Sequence, residues 1–251
     1  MADYAIQWDQ TGERLYETGV DHGVLYLYDK TGVDVTVGAK TYKANYINGV
    51  PWNGLTAVNH SPEGAEANDT YADNMKYLTL RSAENFKYTI EALYSPEEFD
   101  ACDGTLEPVP GVMVSQQARK MFGFCHRSNV GSDTDGNDHG YKYHLIWGCT
   151  ADPSEHNYET INDSPEPASL SWEISTVTQE VGTIDGVEYK PTAKITIDST
   201  KLDSQGKTNL ATLLGILYGT PADPEAQPPT TEVKGCMPSP KDVIAIMSAV
   251  G

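Results

Sequence analysis

The chain has 251 residues, 39% of them hydrophobic, and carries 36 acidic against 17 basic side chains for a net charge of −19. That balance argues against a surface built to neutralise phosphates, because nucleic-acid binders draw affinity from Lys and Arg; solubility alone also accounts for it. The length allows one large β domain or two small ones, the apolar runs fall far short of a membrane span, and no basic-then-apolar leader is visible.

Residues 1–23 read as an extended N-terminal arm leading into a strand at Val24–Tyr28. Residues 29–54 are rich in Gly, Thr and Val and read as a hairpin or a long loop, with Asn48-Gly49 as a turn signal. Ser61 to Asn68 is a polar loop. The stretch from Tyr71 to Gly104 organises the rest. In it Phe86, Tyr88, Ile90, Ala92 and Tyr94 alternate with Lys87, Thr89, Glu91 and Leu93, the pattern of a strand with one buried face. Met75 to Arg81 is a second strand, with Leu78 and Leu80 opposing Met75 and Tyr77, which implies cover on both sides. Ser82-Ala83-Glu84-Asn85 joins the two strands as a hairpin turn. Ser95-Pro96-Glu97-Glu98 opens a short helical turn with Ser95 as its cap, and Asp103-Gly104 turns the chain. Between Glu63 and Glu107 eleven carboxylates face three basic side chains, so this quarter dominates the negative field.

Val112–Ser115 and Lys120–His126 are strands, followed by a loop at Asn129–Gly140. Tyr141–Cys149 is a strand with Tyr141, Tyr143, Leu145 and Trp147 on one face. After an acidic segment at Asp152–Pro167, Leu170, Trp172 and Ile174 alternate with Ser171, Glu173 and Ser175. Asp185-Gly186 is a hairpin turn, and Ala193, Ile195 and Ile197 mark one more strand. Leu210, Leu213, Leu214 and Leu217 then form a helical stripe stopped by Gly219. Residues 221–240 hold six prolines and are irregular. Ser239-Pro240 opens a last helix, with Val243, Ile244, Ile246, Met247 and Val250 apolar on most sides. The fold class is a single β-dominated α+β domain over 1–251, with flanking helices near the C-terminus.

Few residues carry chemistry by spacing. Asp133, Asp135 and Asn137 have the first ligand spacing of a calcium loop, but Asp138 stands where glycine is required and His144 where a bidentate Glu belongs. A solvated turn is the better reading. The six histidines form no HxH or HxxxH pair, although His139 and His144 could meet near Asp138. Cys102, Cys125, Cys149 and Cys236 include no CxxC and read as reduced thiols, with two disulfides as the alternative. No nucleophile elbow, phosphate loop or dinucleotide fingerprint occurs, so neither enzymatic activity nor a cofactor or metal is expected. Trp147 and Trp172 fall on core faces; Trp8 and Trp52 lie in irregular segments and are candidates for subunit contacts.

Several segments resemble the major tail proteins (tail tube proteins) of long, non-contractile-tailed bacteriophages. They are Arg14-Leu15-Tyr16-Glu17-Thr18-Gly19-Val20, Trp52-Asn53-Gly54-Leu55, Pro62-Glu63-Gly64-Ala65-Glu66 and Tyr71-Ala72-Asp73-Asn74 with Lys76-Tyr77-Leu78. Further along come Cys102-Asp103-Gly104, Gln116-Gln117, Arg119-Lys120, Phe122-Gly123-Phe124, Gly140-Tyr141-Lys142, Asn162-Asp163-Ser164-Pro165-Glu166 and Leu217-Tyr218-Gly219-Thr220. The likeness lies in their collinear order, and it departs at Asp29–Gly49 and over 221–240.

The resemblance implies a virion tail protein, assembled in the host bacterial cytoplasm, whose hexameric rings join their sheets into an inner β-barrel and stack into a hollow tube. Its implied fold is a tail-tube-type β-sandwich with a flanking helix and long loops or arms bridging rings. Its implied partners are further copies of itself and the tape measure, tail-tip and terminator proteins, with phage DNA passing through the lumen without specific binding and no membrane contact. Tyr71, Asp73 and Asn74 join Trp8 and Trp52 as candidates for subunit contacts. Glu91 and Glu173, each on the polar face of an alternating strand, are candidates for the lumen wall, with the outer, solvent-facing surface as the alternative. Wall charges act over a Debye length of about 8 Å at physiological salt, so they would reach DNA that nearly fills the bore. The competing reading from another class is a carbohydrate- or receptor-binding β-sandwich. The long segments 29–54 and 129–140 are expected to be mobile in a free subunit.

Overall fold

The computed structural model describes residues 6, 8–154, 160, 167–184, 186–223, 225 and 231–249. Strands β1 (Leu15–Val37) and β2 (Lys40–Trp52) make one long hairpin that turns at residues 38–39. Much of the supposed N-terminal arm and nearly all of 29–54 are therefore regular strand. Asn48-Gly49 is no turn: it lies inside β2, where Asn48 has φ 55° and the ladder slips between Leu25 and Leu27. Here the left-handed tolerance of Asn is spent on a bulge. A two-residue corner, Asn53-Gly54, leads to β3 (Leu55–His60).

A short ladder, Glu63–Gly64 against Glu84–Asn85, follows. Beyond it β4 (Ala67–Ala72) pairs with β5 (Met75–Arg81) through Asp73-Asn74. Both turn residues have positive φ, 50° and 60°, as a two-residue type I′ turn requires and as Asp and Asn tolerate. This corrects the expected hairpin across Ser82–Asn85: Met75–Arg81 folds back on 67–72, and β6 (Lys87–Ala92) belongs to another sheet.

After a 3-10 turn at Glu97–Phe99, with Pro96 and not Ser95 at the cap position, comes α1 (Asp100–Asp103), closed by Gly104 at φ 82°. Then follow β7 (Leu106–Val109), β8 (Val112–Val114), β9 (Phe122–Ser132) and β10 (Gly136–Ala151). The expected loop at Asn129–Gly140 shrinks to a turn at 133–135, because both strands run on antiparallel as far as Ser132 opposite Gly136. β11 (Leu170–Thr176), the small hairpin of β12 (Gly182–Ile184) and β13 (Val187–Tyr189), and β14 (Lys194–Asp198) complete the strands. The helices α2 (Ser204–Tyr218) and α3 (Pro240–Met247) stand where the sequence places them. Asp185, His156, Val250 and the Asn162–Glu166 segment lie outside the described residues.

One eight-stranded sheet runs β2-β1-β9-β10-β11-β6-β3, with β14 also on β10. β10 serves two partners: Lys142–Ile146 pair with β14 and Cys149–Ala151 with β11. The change falls at Gly148, whose φ of 65° kinks the strand and whose missing Cβ admits the Val177 carbonyl. The sheet thereby folds over on itself, which agrees with a β-dominated α+β architecture of sandwich type. Among the described residues no ladder joins β2 to β3, so the sheet is not a closed barrel.

Alternation sorts the apolar residues into two cores. Tyr143, Leu145 and Trp147 of β10 point to the helices and meet Leu210, Leu213, Leu217, Val243 and Ile246. Trp52, Tyr88, Ile90, Phe122, Phe124, Trp172 and Ile174 fill the space between the folded halves of the sheet. Polar handles lock the helices down. The Tyr26 hydroxyl donates to the Leu217 carbonyl at 2.8 Å and the Trp147 indole to Pro238 O at 2.9 Å. Asn209 Nδ2 donates to the Met247 and Ala249 carbonyls at 2.9 and 2.8 Å. The last helix thus docks on its own chain. Among the described residues no helix is long and apolar enough to cross a membrane.

Candidate assembly surface

The β4–β5 hairpin projects from the sheet as an arm. Every ladder of the segment from Glu63 to Asn85 is internal to it, and nearly all its side chains are exposed. A slip in register between Thr70 and Tyr71 sets Met75 opposite Ala72, and so on the face that carries Leu78 and Leu80. The expected opposition of Met75 to the two leucines is corrected by that slip. Met75 and Leu80 are 62% and 61% exposed, and Tyr71 and Tyr77 are bare as well. On the other face Asp69 is tied to Lys76 at 2.8 Å and to Thr79 at 2.6 Å. A two-stranded ribbon with no core of its own is marginal in water, and bare aliphatic faces of this kind mark interaction surfaces. The β7–β8 hairpin is a second such element, with Leu106, Val109, Val112, Met113 and Val114 exposed.

Of the residues singled out as subunit contacts, Tyr71, Asp73 and Asn74 lie on this arm, the last two at its tip, and Trp8 is 77% exposed. Trp52 is a correction. It is 3% exposed, packs on Phe99, Phe124 and Trp172, and donates its indole N–H to Tyr94 O at 3.0 Å. Its segment looked irregular because the β1–β2 hairpin was not legible.

Glu91 and Glu173 come from β6 and β11 and share one face of the sheet. Glu91 stands opposite Ser171, and Glu173 opposite Thr89. Glu91 is half-buried and accepts a hydrogen bond from Asn59 Nδ2 at 2.9 Å, while Glu173 is exposed. Lys87 lies on the same face but turns to Glu63 at 2.9 Å. The β3–β6–β11 face therefore presents a polar, carboxylate-bearing surface backed by the aromatic core.

The would-be chemical sites dissolve on inspection. Asp133 accepts from Gly12 N at 2.9 Å, Asn137 from the Tyr16 hydroxyl at 2.9 Å, and Asp135 pairs with His139 at 2.8 Å. Asp133 and Asn137 hold the start of β1 against the β9–β10 turn, and Asp135 braces the turn itself. Among the described residues no group of three or more His, Cys, Asp or Glu is placed to hold a metal ion. All four cysteines are buried and unpaired, and burial pushes the Cys102, Cys125 and Cys149 thiols up to about 12, far from a reactive thiolate. His144 meets His60 and His126, not His139. Sequence reasoning missed that cluster because its members come from three strands. No family model matches the chain, and no curated protein matches it.

Proposed function

We propose that this chain is a structural subunit that polymerises as stacked hexameric rings into a bacteriophage tail tube, a conduit for DNA ejection without enzymatic activity of its own. The observation that carries the reading is the arm, whose aliphatic face has no cover among the described residues. A second copy is the occupant that a self-assembling tube supplies. The edges of β3 and β14, each with one ladder, offer places for sheets to join between copies, and joined edges remove an aggregation hazard. The carboxylate-bearing β3–β6–β11 face and the net charge of −19 suit a wall along which phosphates slide without binding. Burial of Trp52, Trp147 and Trp172 takes three of the four tryptophans away from the competing sugar-binding reading.

Negative-stain microscopy of the purified chain at rising concentration tests the proposal. Rings or hollow tubes of uniform width are expected. Dispersed single chains at all concentrations, with or without a tail-tip initiator, would overturn it.

A further inference from the structure

Where the arm leaves the sheet, three imidazoles cluster: His126 and His144 stack, and His60 stands edge-on to both. His60 ends β3, His126 lies on β9 and His144 on β10. Their ring centroids are 5.6 Å apart for His60 with each partner and 4.7 Å apart for His126 with His144. Phe86, the residue that returns the chain from the arm, packs edge-on to His60 at 5.2 Å, and Ser61 N donates to Lys87 O at 2.8 Å. The cluster thus holds both ends of the arm segment, and among the described residues no ladder of that segment reaches any other part of the chain.

A metal does not explain the cluster. The His126 and His144 rings lie within 17° of parallel, so their lone pairs do not converge. Both nitrogens of His144 are already engaged, by Ser128 at 3.0 Å and Thr196 at 3.2 Å. His60 Nε2 and His126 Nδ1 are buried with no protein partner.

The charged groups around the cluster are mostly of one sign. Lys194 on β14 reaches His60 Nδ1 at 3.1 Å. Glu17 on β1 lines, with the three histidines, a cavity of about 200 Å³, but it is bound by Lys142 on β10. A proton added to any ring therefore meets Lys194 and two further imidazoles, and its one carboxylate is already paired.

We propose that His60, His126 and His144 form an acid-sensitive latch that fixes the root of the β4–β5 arm when neutral and frees it when protonated. The neutral rings pack on one another and on Phe86 and Phe124, His126 face-on and His60 edge-on; charged rings at these spacings repel and draw water into the cavity. Burial supports the direction, holding His60 and His144 down to about 4 and His126 below its ordinary value. Because the folded values lie below the unfolded 6.5, the latch is whole above pH 6.5. It is lost as pH falls from there through about 4. The latch belongs to the single chain and does not require the tube.

The test places a nitroxide on the arm through Thr70→Cys; the native thiols are all buried and stay unlabelled. Spectra of the dilute full chain are followed from pH 7.5 to 4, with circular dichroism alongside. The expected result is a mobile component that appears between pH 6.5 and 4 while the sheet signal stays constant. In His126→Leu/His144→Gln the mobile fraction at pH 4.5 should fall at least fivefold. Imidazole NMR of the unsubstituted chain should show three histidines titrating well below 6.5 in step with the label, a readout that survives if the double variant fails to fold. Titration of all described histidines near 6.5 without change in the label would overturn the proposal. So would loss of the sheet signal at the same pH, or an unaltered transition in the folded double variant.

Discussion

Replacing Met75 and Leu80 by threonine strips the arm of its most exposed aliphatic side chains while keeping strand-forming residues in place. Both lie on one face and are 62% and 61% exposed. Full burial of a Met or Leu side chain contributes about 1.5–3 kcal/mol, so covering three-fifths of two of them contributes about 2–4 kcal/mol per arm. At 1.4 kcal/mol per tenfold, association between copies should weaken about 30- to 700-fold. The lone chain loses little, because these side chains face water already; its unfolding free energy should stay within about 0.5 kcal/mol. Sedimentation with microscopy gives the concentration at which tubes appear, and urea unfolding gives the stability. Tubes forming at the unsubstituted concentration would refute the reasoning. A loss above about 1 kcal/mol in the monomer would refute its premise, by showing that the arm already packs on its own chain.

Glu91→Lys with Glu173→Lys should leave tubes assembled but slow or block DNA ejection from particles; normal ejection removes these two residues from the lumen wall. Gly148→Ala should cost at least about 3 kcal/mol in urea unfolding, since φ is 65° and the new Cβ would sit 2.2 Å from the Val177 carbonyl oxygen; an unchanged midpoint would show that β10 does not need its kink. Asp21→Asn should cost about 1 kcal/mol at pH 7, because Arg127, bound to Asp21 at 2.7 Å through both forks and stacked on Tyr141 at 4.1 Å, loses its counter-charge. That hydrogen bond holds the Asp21 carboxyl below its ordinary 3.8, so the stabilisation is present above that value and fades as pH falls through the lowered one. Unfolding followed from pH 7 downwards should therefore separate Asp21→Asn from the unsubstituted chain most at pH 7 and by less as the pH falls below 3.8.

What could be read from the residues alone was whatever depends on neighbours along the chain. Tyr143, Leu145 and Trp147 turn to one core because alternation is local, and Leu210, Leu213 and Leu217 turn to the same core by helical spacing. Glu91 and Glu173 were placed on polar faces by the same logic, and their strands prove adjacent. Partner choice was not local. Asn48-Gly49 and Asp73-Asn74 are both turn-prone pairs, yet one is a bulge and the other a true turn. The difference lies in the flanking strands. Around 48–49 the pairing partner, β1, is already fixed on the far side of the 38–39 turn, whereas among the described residues β4 pairs with β5 alone. Trp52 was misplaced by the same failure.

The latch shows how a site can be hidden from one-dimensional reading and still have a sequence trace. His144 sits between Tyr143 and Leu145, so alternation sends it to the face opposite the helix core, between the folded halves of the sheet. His126 follows Cys125, which faces the helices, and so turns the same way as His144. Two buried histidines on neighbouring strands are costly unless their neutral forms are used. Their place beside His60, where β3 enters the arm, gives that cost a purpose. If the arm is what binds one subunit to the next, then the residues that hold its root govern assembly without touching the contact itself. The charge state of three rings would then set how stiffly the joint is presented, and acid would loosen a tube from within its subunits before it unfolded any of them.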